Sequence, residues 1–445
     1  MFALHPRVLA TSPPDLYTMP AMNRSPRFRL FLMMVLQFFI WGAWLPPLFH
    51  LMGAKEGLNF SATQQTLIGS CFAIASVLGI FFSNQFADRN FASERFMAFS
   101  HLVSGLALIG LFFVKSFGPF FALMLIHSIL YVPTISVGNS LAFANLKDPA
   151  KEFGLVRMGG TIGWIMASWP FVFILKGKTG QALADAEMYA FVVAGIASLL
   201  LAGFCLTLPH TPPKTAAEGA GESLAWLEAM RLLRLPFVFV LFLVTFIDAT
   251  IHNGYFVMAF GFLADVGFKP ESIMPIMSIG QVAEIATMAV LGGVLAKFGW
   301  RTTMILGILG HAARYAVFAF FAQSHAIIVI VQVLHGICYA FFFATVYIFI
   351  DAAFPKDVRS SAQGLFNLLI LGLGDLAAKW IFIPLMNQWK VSVALEGGGT
   401  REMIDYHKLF LVPVGLALVA TILLAVAFHP PKEISAHGSA GGAPH

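Results

Sequence analysis

Charged residues are scarce in this chain of 445 residues, at 11% of the total. Soluble proteins carry about 25% charged residues. Hydrophobic residues make up 58% of the chain, and 46 of its residues are phenylalanine. Because no soluble core could bury so much apolar surface, we expect the protein to lie in a lipid bilayer. The formal net charge of +5 therefore bears on orientation in the membrane and does not indicate nucleic-acid binding.

Motifs for metal, cofactor or covalent chemistry are also missing. The three cysteines, Cys71, Cys205 and Cys338, lie far apart in apolar runs, so we interpret them as packing residues. The histidines show no HExxH spacing, and the segment KGKTG at 176–180 lacks the upstream glycine of a phosphate-binding loop. We therefore expect neither an enzyme nor a bound metal or cofactor.

A sustained apolar run is absent from the first 29 residues, which contain prolines and arginines instead. That composition does not match a signal peptide, so we predict a disordered cytoplasmic tail over 1–29. We predict a second disordered tail over 430–445.

Long apolar runs fill the rest of the chain. About twelve of them are long enough to cross the hydrocarbon core as helices. In order, spans 1 to 12 are 30–52, 63–87, 94–116, 118–146, 153–175, 187–208, 236–264, 272–297, 302–323, 325–354, 360–388 and 408–429. The sequence thus predicts an all-α integral membrane protein with twelve transmembrane helices.

The longest internal polar stretch, 209–235, divides the spans six and six. It separates an N-terminal six-helix bundle at 30–208 from a C-terminal one at 236–429. Its first part reads as a Pro/Ala/Gly linker. Residues 222–234 combine apolar residues at helical spacing with arginines, which predicts an amphipathic helix at the membrane interface. A plain linker is the alternative.

The positive charges between the spans predict the orientation. If both termini are cytoplasmic, the cytoplasmic segments hold roughly sixteen Lys and Arg and the outer segments roughly eight. The opposite orientation would invert this bias, so we predict that both termini are cytoplasmic.

Two loops at equivalent places in the two halves have similar sequences. The segment SNQFADRNFASERF after span 2 contains Asp88 and Arg89, and LGGVLAKFGWRTT after span 8 contains Lys297 and Arg301. Both resemble the loop signature of the major facilitator superfamily, although the first copy has Asn84 in place of the first glycine and the second has Ala296 in place of the acidic residue. This resemblance implies two six-helix halves with a substrate site between them near the midplane. It also implies a gating or structural role for these four residues.

Few ionisable side chains occur within the predicted spans. Each costs about 2.5 kcal/mol or more at the bilayer centre, so we treat them as functional candidates. They are Arg157, Asp248, Glu284, Arg314, Asp375 and Lys379, with the histidines His101, His127, His252, His311 and His335.

Span 5 carries a polar and aromatic face. Arg157, Thr161 and Trp164 are spaced i, i+4 and i+7, so they share one side of a helix. Glycines at 159, 160 and 163 would let a neighbouring helix approach closely. The alternative is that Arg157 extends to the interface while Trp164 packs.

Spans 7, 8 and 10 carry further polar pairs. Span 8 has Gln281 and Glu284 at i and i+3, and a carboxyl at this depth can hold a proton at physiological pH. A static hydrogen bond between helices is the alternative reading of Glu284. The other pairs are Thr250 with Asn253 in span 7 and His335 with Tyr339 in span 10.

Together these residues offer flat rings, amides, hydroxyls, one acid and one base at middle depth. Flat rings stack on planar ligands or on the apolar face of a sugar, and amides and carboxylates bind hydroxyls and ring-edge donors. A nucleoside has both features. A glycoside or another aromatic solute also fits this composition.

Longer stretches resemble the bacterial nucleoside:proton symporters of the major facilitator superfamily. They are LQFFIWGAWLPPL in span 1, YVPTISVGN in span 4, RMGGTIGWIMASW in span 5, LTLPHTP after span 6, IMSIGQVAE in span 8, ARYAVFA in span 9 and RSSAQGLF entering span 11. The resemblance implies a monomeric, proton-coupled nucleoside importer of the bacterial inner membrane, working by alternating access. A symporter of sugars or other small polar solutes is the alternative.

The resemblance also implies which residues line the nucleoside site. They are Arg157, Thr161, Trp164, Thr250, Asn253, Gln281, Glu284, His335 and Tyr339. Arg314 falls on an arginine of the family and is expected to have a structural or gating role.

The chain departs from the family pattern at four of its positions. Family members have Phe at Trp164, Gln at Thr250 and Tyr at His335, which affects base selectivity. They also have an acidic residue at Ala340, so the proton must be carried elsewhere in this chain.

Glu284 is the first candidate for the proton carrier. The second is the pair Asp375 and Lys379, spaced i and i+4 in span 11, which could open as an ion pair on protonation. A static ion pair is the alternative.

Overall fold

The computed structural model describes residues 26–79, 90–213, 230–354, 356–394 and 400–430, and these are almost entirely helical. Nine helical stretches in this part of the chain are long and apolar enough to cross a membrane, and Ala62–Leu78 is a shorter apolar helix. The prediction of an all-α membrane protein is therefore confirmed. Asp88, Arg89, most of the 209–235 linker and most of both predicted tails lie outside the described residues.

The first half of the chain contains eight helices among its described residues. They are α1 (Pro26–Gly53), α2 (Ala62–Leu78), α3 (Ser93–Phe112), α4 (Phe117–Asn145), α5 (Pro149–Ala167), α6 (Trp169–Ile174), α7 (Gly180–Glu187) and α8 (Tyr189–Cys205). Helix α1 begins at Pro26, four residues before the predicted start of span 1, and Pro is well tolerated in a first helical turn. Predicted span 5 is divided into α5 and α6 at Ser168, just before Pro170.

The second half begins with two long helices, α9 (Pro236–Asp265) and α10 (Pro270–Phe320). Three α-helical pieces and a π-helical turn follow, namely α11 (His325–Val331), α12 (Val333–Cys338), π1 (Tyr339–Ala344) and α13 (Thr345–Ala353). The chain then forms α14 (Lys356–Asn367), π2 (Leu368–Leu373), α15 (Gly374–Gln388) and α16 (Tyr406–Ala427). A two-stranded hairpin, β1 (Lys390–Ala394) and β2 (Thr400–Ile404), precedes α16.

Helix α10 is interrupted at Gly299, whose φ of 71° and ψ of 176° are non-helical. The interruption falls between the predicted spans 272–297 and 302–323, so the prediction of two helical segments here is confirmed. Only glycine adopts this conformation without strain, since it has no Cβ atom. Beyond this interruption, the Arg301 guanidinium donates a hydrogen bond to the Phe428 carbonyl oxygen. That bond ties the start of the second segment of α10 to the end of α16.

Close helix packing depends on glycines, as expected for span 5. A Cβ atom at Gly159 would lie 2.6 Å from the Phe31 carbonyl oxygen, and one at Gly163 would overlap the Val35 carbonyl. Helix α5 therefore packs with its backbone almost against α1. The prediction that these glycines allow a close approach is confirmed.

Candidate functional site

The polar face of α5 points toward aromatic side chains of α1. The guanidinium carbon of Arg157 lies 4.3 Å from the centre of the Phe38 ring, a distance typical of a cation–π contact. The Arg157 side chain is half-buried and interacts electrostatically with Glu284 of α10. Its charge is therefore directed toward other helices in the interior of the bundle.

Trp164 lies one turn beyond Thr161 and makes edge-to-face contacts with rings from both halves of the chain. Its ring centre is 5.5 Å from that of Trp41 on α1 and 5.4 Å from that of Phe256 on α9. Gly42 of α1 leaves room for it, because a Cβ atom there would lie 3.1 Å from the Trp164 ring. Half-buried Trp164 and Phe256 thus form an aromatic wall between the halves.

Glu284 joins α10 to the polar face of α5. The Thr161 side chain lies close to its carboxyl group, and Arg157 acts on it through its charge. Tyr339 of π1 lies near both Glu284 and Arg157. Four predicted site residues from three stretches of the chain therefore meet here. We call this set, Arg157, Thr161, Glu284 and Tyr339, the central polar cluster.

Two glycines fix the position of Glu284 relative to α12. A Cβ atom at Gly336 would overlap the backbone nitrogen of Glu284, and one at Gly280 would lie 2.8 Å from the Cβ atom of His335. Helices α10 and α12 therefore cross in direct backbone contact at this level. The contact places Glu284 beside His335 and, one turn on, Tyr339.

The predicted amides offer hydrogen-bond acceptors. Asn253 donates from Nδ2 to the carbonyl oxygens of Ala249 and Ile370, at 2.9 and 3.0 Å, so its Oδ1 atom is left to accept. Gln281 is 6% exposed, and its Oε1 atom has no hydrogen-bond partner among the described residues. Buried polar atoms are seldom left unpaired, so this oxygen is a candidate ligand contact.

The Thr250 side chain, in contrast, is not available to contact a ligand. It is 2% exposed, and its hydroxyl donates to the Phe246 carbonyl oxygen at 2.8 Å. Although it lies three residues from Asn253, it is turned into the packing of α9 and is not part of the central polar cluster.

His335 and Arg314 lie behind the central polar cluster. Both are buried, and an Arg314 guanidinium N–H donates to Nδ1 of His335 at 2.5 Å. The guanidinium also lies 4.2 Å from the centre of the Tyr255 ring. His335 stacks on His252, with ring centres 4.9 Å apart. It therefore acts as a packing and positioning residue more than as part of an open surface.

Asp375 and Lys379 form the predicted ion pair. Both are buried, and Lys379 lies 5.9 Å from the centre of the Phe49 ring of α1. The next residue, Trp380, donates from its ring nitrogen to the Ser70 hydroxyl of α2 at 3.1 Å. The pair thus lies where α15 packs on α1 and α2, apart from Glu284.

A small cavity lies between this ion pair and Trp41. Its lining comes from α1, α2, α4 and α15 and comprises Trp41, Trp44, Leu45, Leu48, Phe49, Ile68, Gly69, Phe72, Met124, Asp375 and Lys379. Trp41 is shared, since it lines the cavity and also contacts Trp164.

Lys297 and Arg301 flank the bend of α10. The Lys297 ammonium group lies 5.3 Å from the centre of the neighbouring Phe298 ring, and Arg301 holds the end of α16. They lie on either side of Gly299 at one end of the bundle, far along α10 from Glu284.

Sequence reasoning missed the aromatic partners of the site. Phe38, Trp41 and Phe256 belong to apolar runs of spans 1 and 7, where nothing local distinguishes them from packing or lipid-facing rings. The only local signal is that polar residues stand close to these rings in the sequence, as His252 and Asn253 do to Phe256. No group of three His, Cys, Asp or Glu side chains in the described ranges could hold a metal ion.

Comparisons with known proteins agree with this architecture. Residues 24–433 match the family model described as the nucleoside H+ symporter. The chain is 33% identical over 352 residues to a putative nucleoside transporter, YegT, of Escherichia coli strain K12, covering 78% of this chain and 81% of the relative. It is 28% identical to the xanthosine permease of the same bacterium, over 92% of this chain and 98% of the relative.

A solved structure establishes the fold. The crystal structure of the nucleoside transporter NupG superposes with a TM-score of 0.75 at 23% identity, over 91% of this chain and 100% of that one. Because the family model spans most of the chain and a relative exceeds 30% identity, this membrane protein is a member of the nucleoside H+ symporter family.

Proposed function

We propose that this protein imports nucleosides together with protons across a bacterial inner membrane, and that the nucleoside binds at the midplane between two six-helix halves. Nucleoside and proton as cargo follow from the family, whose members are transporters and not enzymes. The two halves would be 30–208 and 236–429. Alternating access means that the halves rock about the site so that it opens to one side of the membrane at a time.

The described helices are consistent with twelve crossings. Helices α5 with α6 and α7 with α8 would make one crossing each, and α10 would make two, bending at Gly299. The segments 325–353 and 356–388 would each make one crossing that contains a π-helical turn. With the bias of Lys and Arg toward one side, both termini would be cytoplasmic.

The observation that carries this proposal is the contact between Glu284 of α10 and the polar face of α5. Thr161 and Arg157 belong to the first half, and Glu284 belongs to the second. A titratable carboxyl that holds a residue of the opposite half can link proton binding to the relative position of the halves. Ionised Glu284 would hold Arg157, and protonated Glu284 would release it.

The surroundings of this contact suit a nucleoside. The rings of Trp164 and Phe256 approach each other from opposite halves, and a flat base could stack between or upon them. Asn253 Oδ1 and Gln281 Oε1 are free acceptors among the described residues for the edge of a base or for ribose hydroxyls. The five donors of Arg157 could bind a base carbonyl or a hydroxyl once Glu284 is protonated.

Contacts at the α1–α2 loop end of the bundle would close that end in this conformation. His50, near the end of α1, lies 5.3 Å from the Phe260 ring of α9, and a Cβ atom at Gly261 of α9 would lie 4.0 Å from the His50 ring. With cytoplasmic termini, this end faces outward. These contacts would separate when the transporter opens to the outside.

Uptake of labelled uridine and adenosine into cells that lack their own nucleoside transporters tests the proposal. We expect accumulation above the external concentration, and we expect a protonophore to abolish that accumulation. A competition panel of ribonucleosides, free bases and sugars tests the cargo. Accumulation unaffected by the protonophore would refute proton coupling, and competition by sugars alone would establish the sugar symporter as the correct reading.

A further inference from the structure

A row of ionisable side chains extends from the central polar cluster through the helices of the second half. Asp248 of α9 and His311 of α10 are both 0% exposed, and the Asp248 carboxylate lies 2.9 Å from Nδ1 of His311. Burying a carboxylate is costly unless it is paired or carries a proton. This pair lies at middle depth on its two helices, and nothing in the proposed nucleoside site uses it.

His252 lies between this pair and the central polar cluster. Its ring centre is 5.7 Å from that of His311 and 6.1 Å from that of Tyr339. Tyr339 in turn lies near Glu284. The imidazole is half-buried, and its Nδ1 atom has no hydrogen-bond partner among the described residues. A histidine accepts a proton on one ring nitrogen and releases one from the other, so this position suits a relay.

The contact with Arg314 prevents His335 from acting as a proton relay. Arginine is always charged and only donates, so the Nδ1 atom of His335 that faces it must accept. His335 therefore stays neutral, with its hydrogen on Nε2, as long as the contact of 2.5 Å persists. Stacked on His252 at 4.9 Å, it positions that ring and does not carry the proton.

The other ionisable groups around this row of side chains already have hydrogen-bond or ion-pair partners. The Tyr255 hydroxyl donates to Gln332 at 2.9 Å and the Tyr315 hydroxyl donates to the Ile251 carbonyl at 2.8 Å. On α15, which packs on α9, Asp375 and Lys379 pair with each other. The remaining groups that face this row of side chains are Cys338 beside His311, Arg314 beside His335, and Glu284 with Arg157 beside Tyr339.

One oxygen of Asp248 has room for a proton. Oδ1 bonds His311, whereas Oδ2 has no hydrogen-bond partner among the described residues. Such an unpaired buried oxygen is uncommon in proteins and calls for a functional explanation. Glu284, which lies near Tyr339 at the other end of this set of residues, is the carboxyl group that can supply that proton.

We propose that Asp248 and His311 form a second proton-binding site, and that His252 passes protons between this site and Glu284. The transfer moves one proton and no electrons. A proton leaves the Glu284 carboxyl, His252 takes it on one nitrogen and releases another, and the Asp248–His311 pair receives it. The inference rests on the proposed function, since it assigns the coupling route of that same transporter.

Two variants test the route, in purified protein reconstituted in liposomes. His252→Gln removes the relay, and Asp248→Asn with His311→Gln keeps a hydrogen bond but removes the titratable pair. Two readouts are compared for each, namely exchange of labelled uridine for internal uridine, and accumulation driven by an imposed pH gradient. Exchange requires nucleoside binding and alternation but no net proton movement, so it reports on the proposed function separately.

We expect both variants to exchange uridine within about threefold of the wild type and to lose pH-driven accumulation. For one proton, a gradient of one pH unit supports about tenfold accumulation, because a factor of ten corresponds to about 1.4 kcal/mol. His127→Asn, at a fully buried histidine of the first half, controls for the loss of a buried imidazole and should keep both readouts.

Full accumulation in His252→Gln and in the double variant would overturn the route. So would loss of accumulation in His127→Asn to the same extent. Absence of uridine exchange in the wild type would instead refute the proposed function. If one variant is unstable in detergent, the other decides, since each removes a different part of the route.

Discussion

The Thr161 side chain of α5 lies close to the Glu284 carboxyl of α10, so that the two halves of the chain approach each other at one titratable group. Arg157 acts on the same carboxyl group from one turn earlier in α5. A neutral carboxyl can remain beside Thr161 but loses the attraction to Arg157. The contact therefore differs between the two protonation states of Glu284, which is the requirement for proton coupling.

Glu284→Gln is expected to uncouple uptake from the proton gradient. Glutamine keeps the size of the side chain and a carbonyl oxygen for Thr161, but it cannot bind or release a proton. Initial uridine uptake should become independent of external pH, and accumulation in response to a gradient should disappear. Measurements in liposomes at matched internal pH check this. Glu56→Gln, at an exposed position after α1, should behave as the wild type, and preserved pH dependence in Glu284→Gln would contradict the assignment.

Trp164→Ala is expected to weaken nucleoside binding. Stacking of a base on an aromatic side chain contributes about 1–3 kcal/mol by alanine substitution, which corresponds to at least about fivefold in Kd. Trp164→Phe keeps a ring and should keep most of the affinity. Calorimetry of purified protein with uridine and adenosine measures both. The matched control is Trp169→Ala, since that tryptophan is 61% exposed on the next turns of the same span. Equal loss of affinity in both alanine variants would assign the effect to folding.

Arg157→Lys is expected to lose transport although it preserves the positive charge. Lysine has neither the planar fork of donors nor the flat cation that lies over Phe38, so the geometry at Glu284 cannot be reproduced. We expect uptake to fall about tenfold or more, as for loss of a well-placed charged hydrogen bond of about 1.5–3 kcal/mol. Arg27→Lys, at a side chain 52% exposed, is the control. Normal uptake in Arg157→Lys would mean that only its charge matters.

Local spacing in the sequence was enough to predict one face of the site. Arg157, Thr161 and Trp164 repeat at helical intervals, and a helix of that length leaves them no other arrangement. The same reasoning predicted the ion pair of Asp375 with Lys379, which lies within one turn. These predictions hold because the contacts are set by the geometry of a single helix.

The contacts between helices depend on tertiary packing, and local sequence spacing did not predict them. The spacing of Thr250 and Asn253 places them on one side of α9, but only the position of α15 determines that Asn253 bonds Ile370 while Thr250 is buried. The aromatic wall pairs Trp164 with Phe256, which are far apart in sequence.

Breaking the Asp375–Lys379 ion pair is expected to destabilise the protein strongly. Both side chains are less than a tenth exposed, and removal of one partner of a buried pair costs about 3–5 kcal/mol. Asp375→Asn or Lys379→Met should lower the Tm of the purified protein, and Asp375→Leu with Lys379→Met should recover much of the loss. Lys115→Met is the control, because its pair with Asp185 is exposed and surface pairs contribute about 0–1 kcal/mol.

If this ion pair took part in proton coupling, the double variant would give a different experimental result. If it opens during transport, the double variant would recover its Tm but would not accumulate uridine against a gradient. Recovery of both Tm and accumulation would establish a static structural pair.

Gly163→Ala is expected to separate α5 from α1. A Cβ atom there would overlap the Val35 carbonyl, which is backbone and cannot rotate away, whereas a Cβ atom at Gly154 meets nothing within 4 Å. Alanine otherwise stabilises a helix by about 0.8–1 kcal/mol relative to glycine, so Gly154→Ala should leave the Tm unchanged or raise it. Gly163→Ala should lower the Tm and also reduce uridine binding, because Trp164 moves with the α5 backbone. A Tm for Gly163→Ala as high as that for Gly154→Ala would show that the two helices can part without cost.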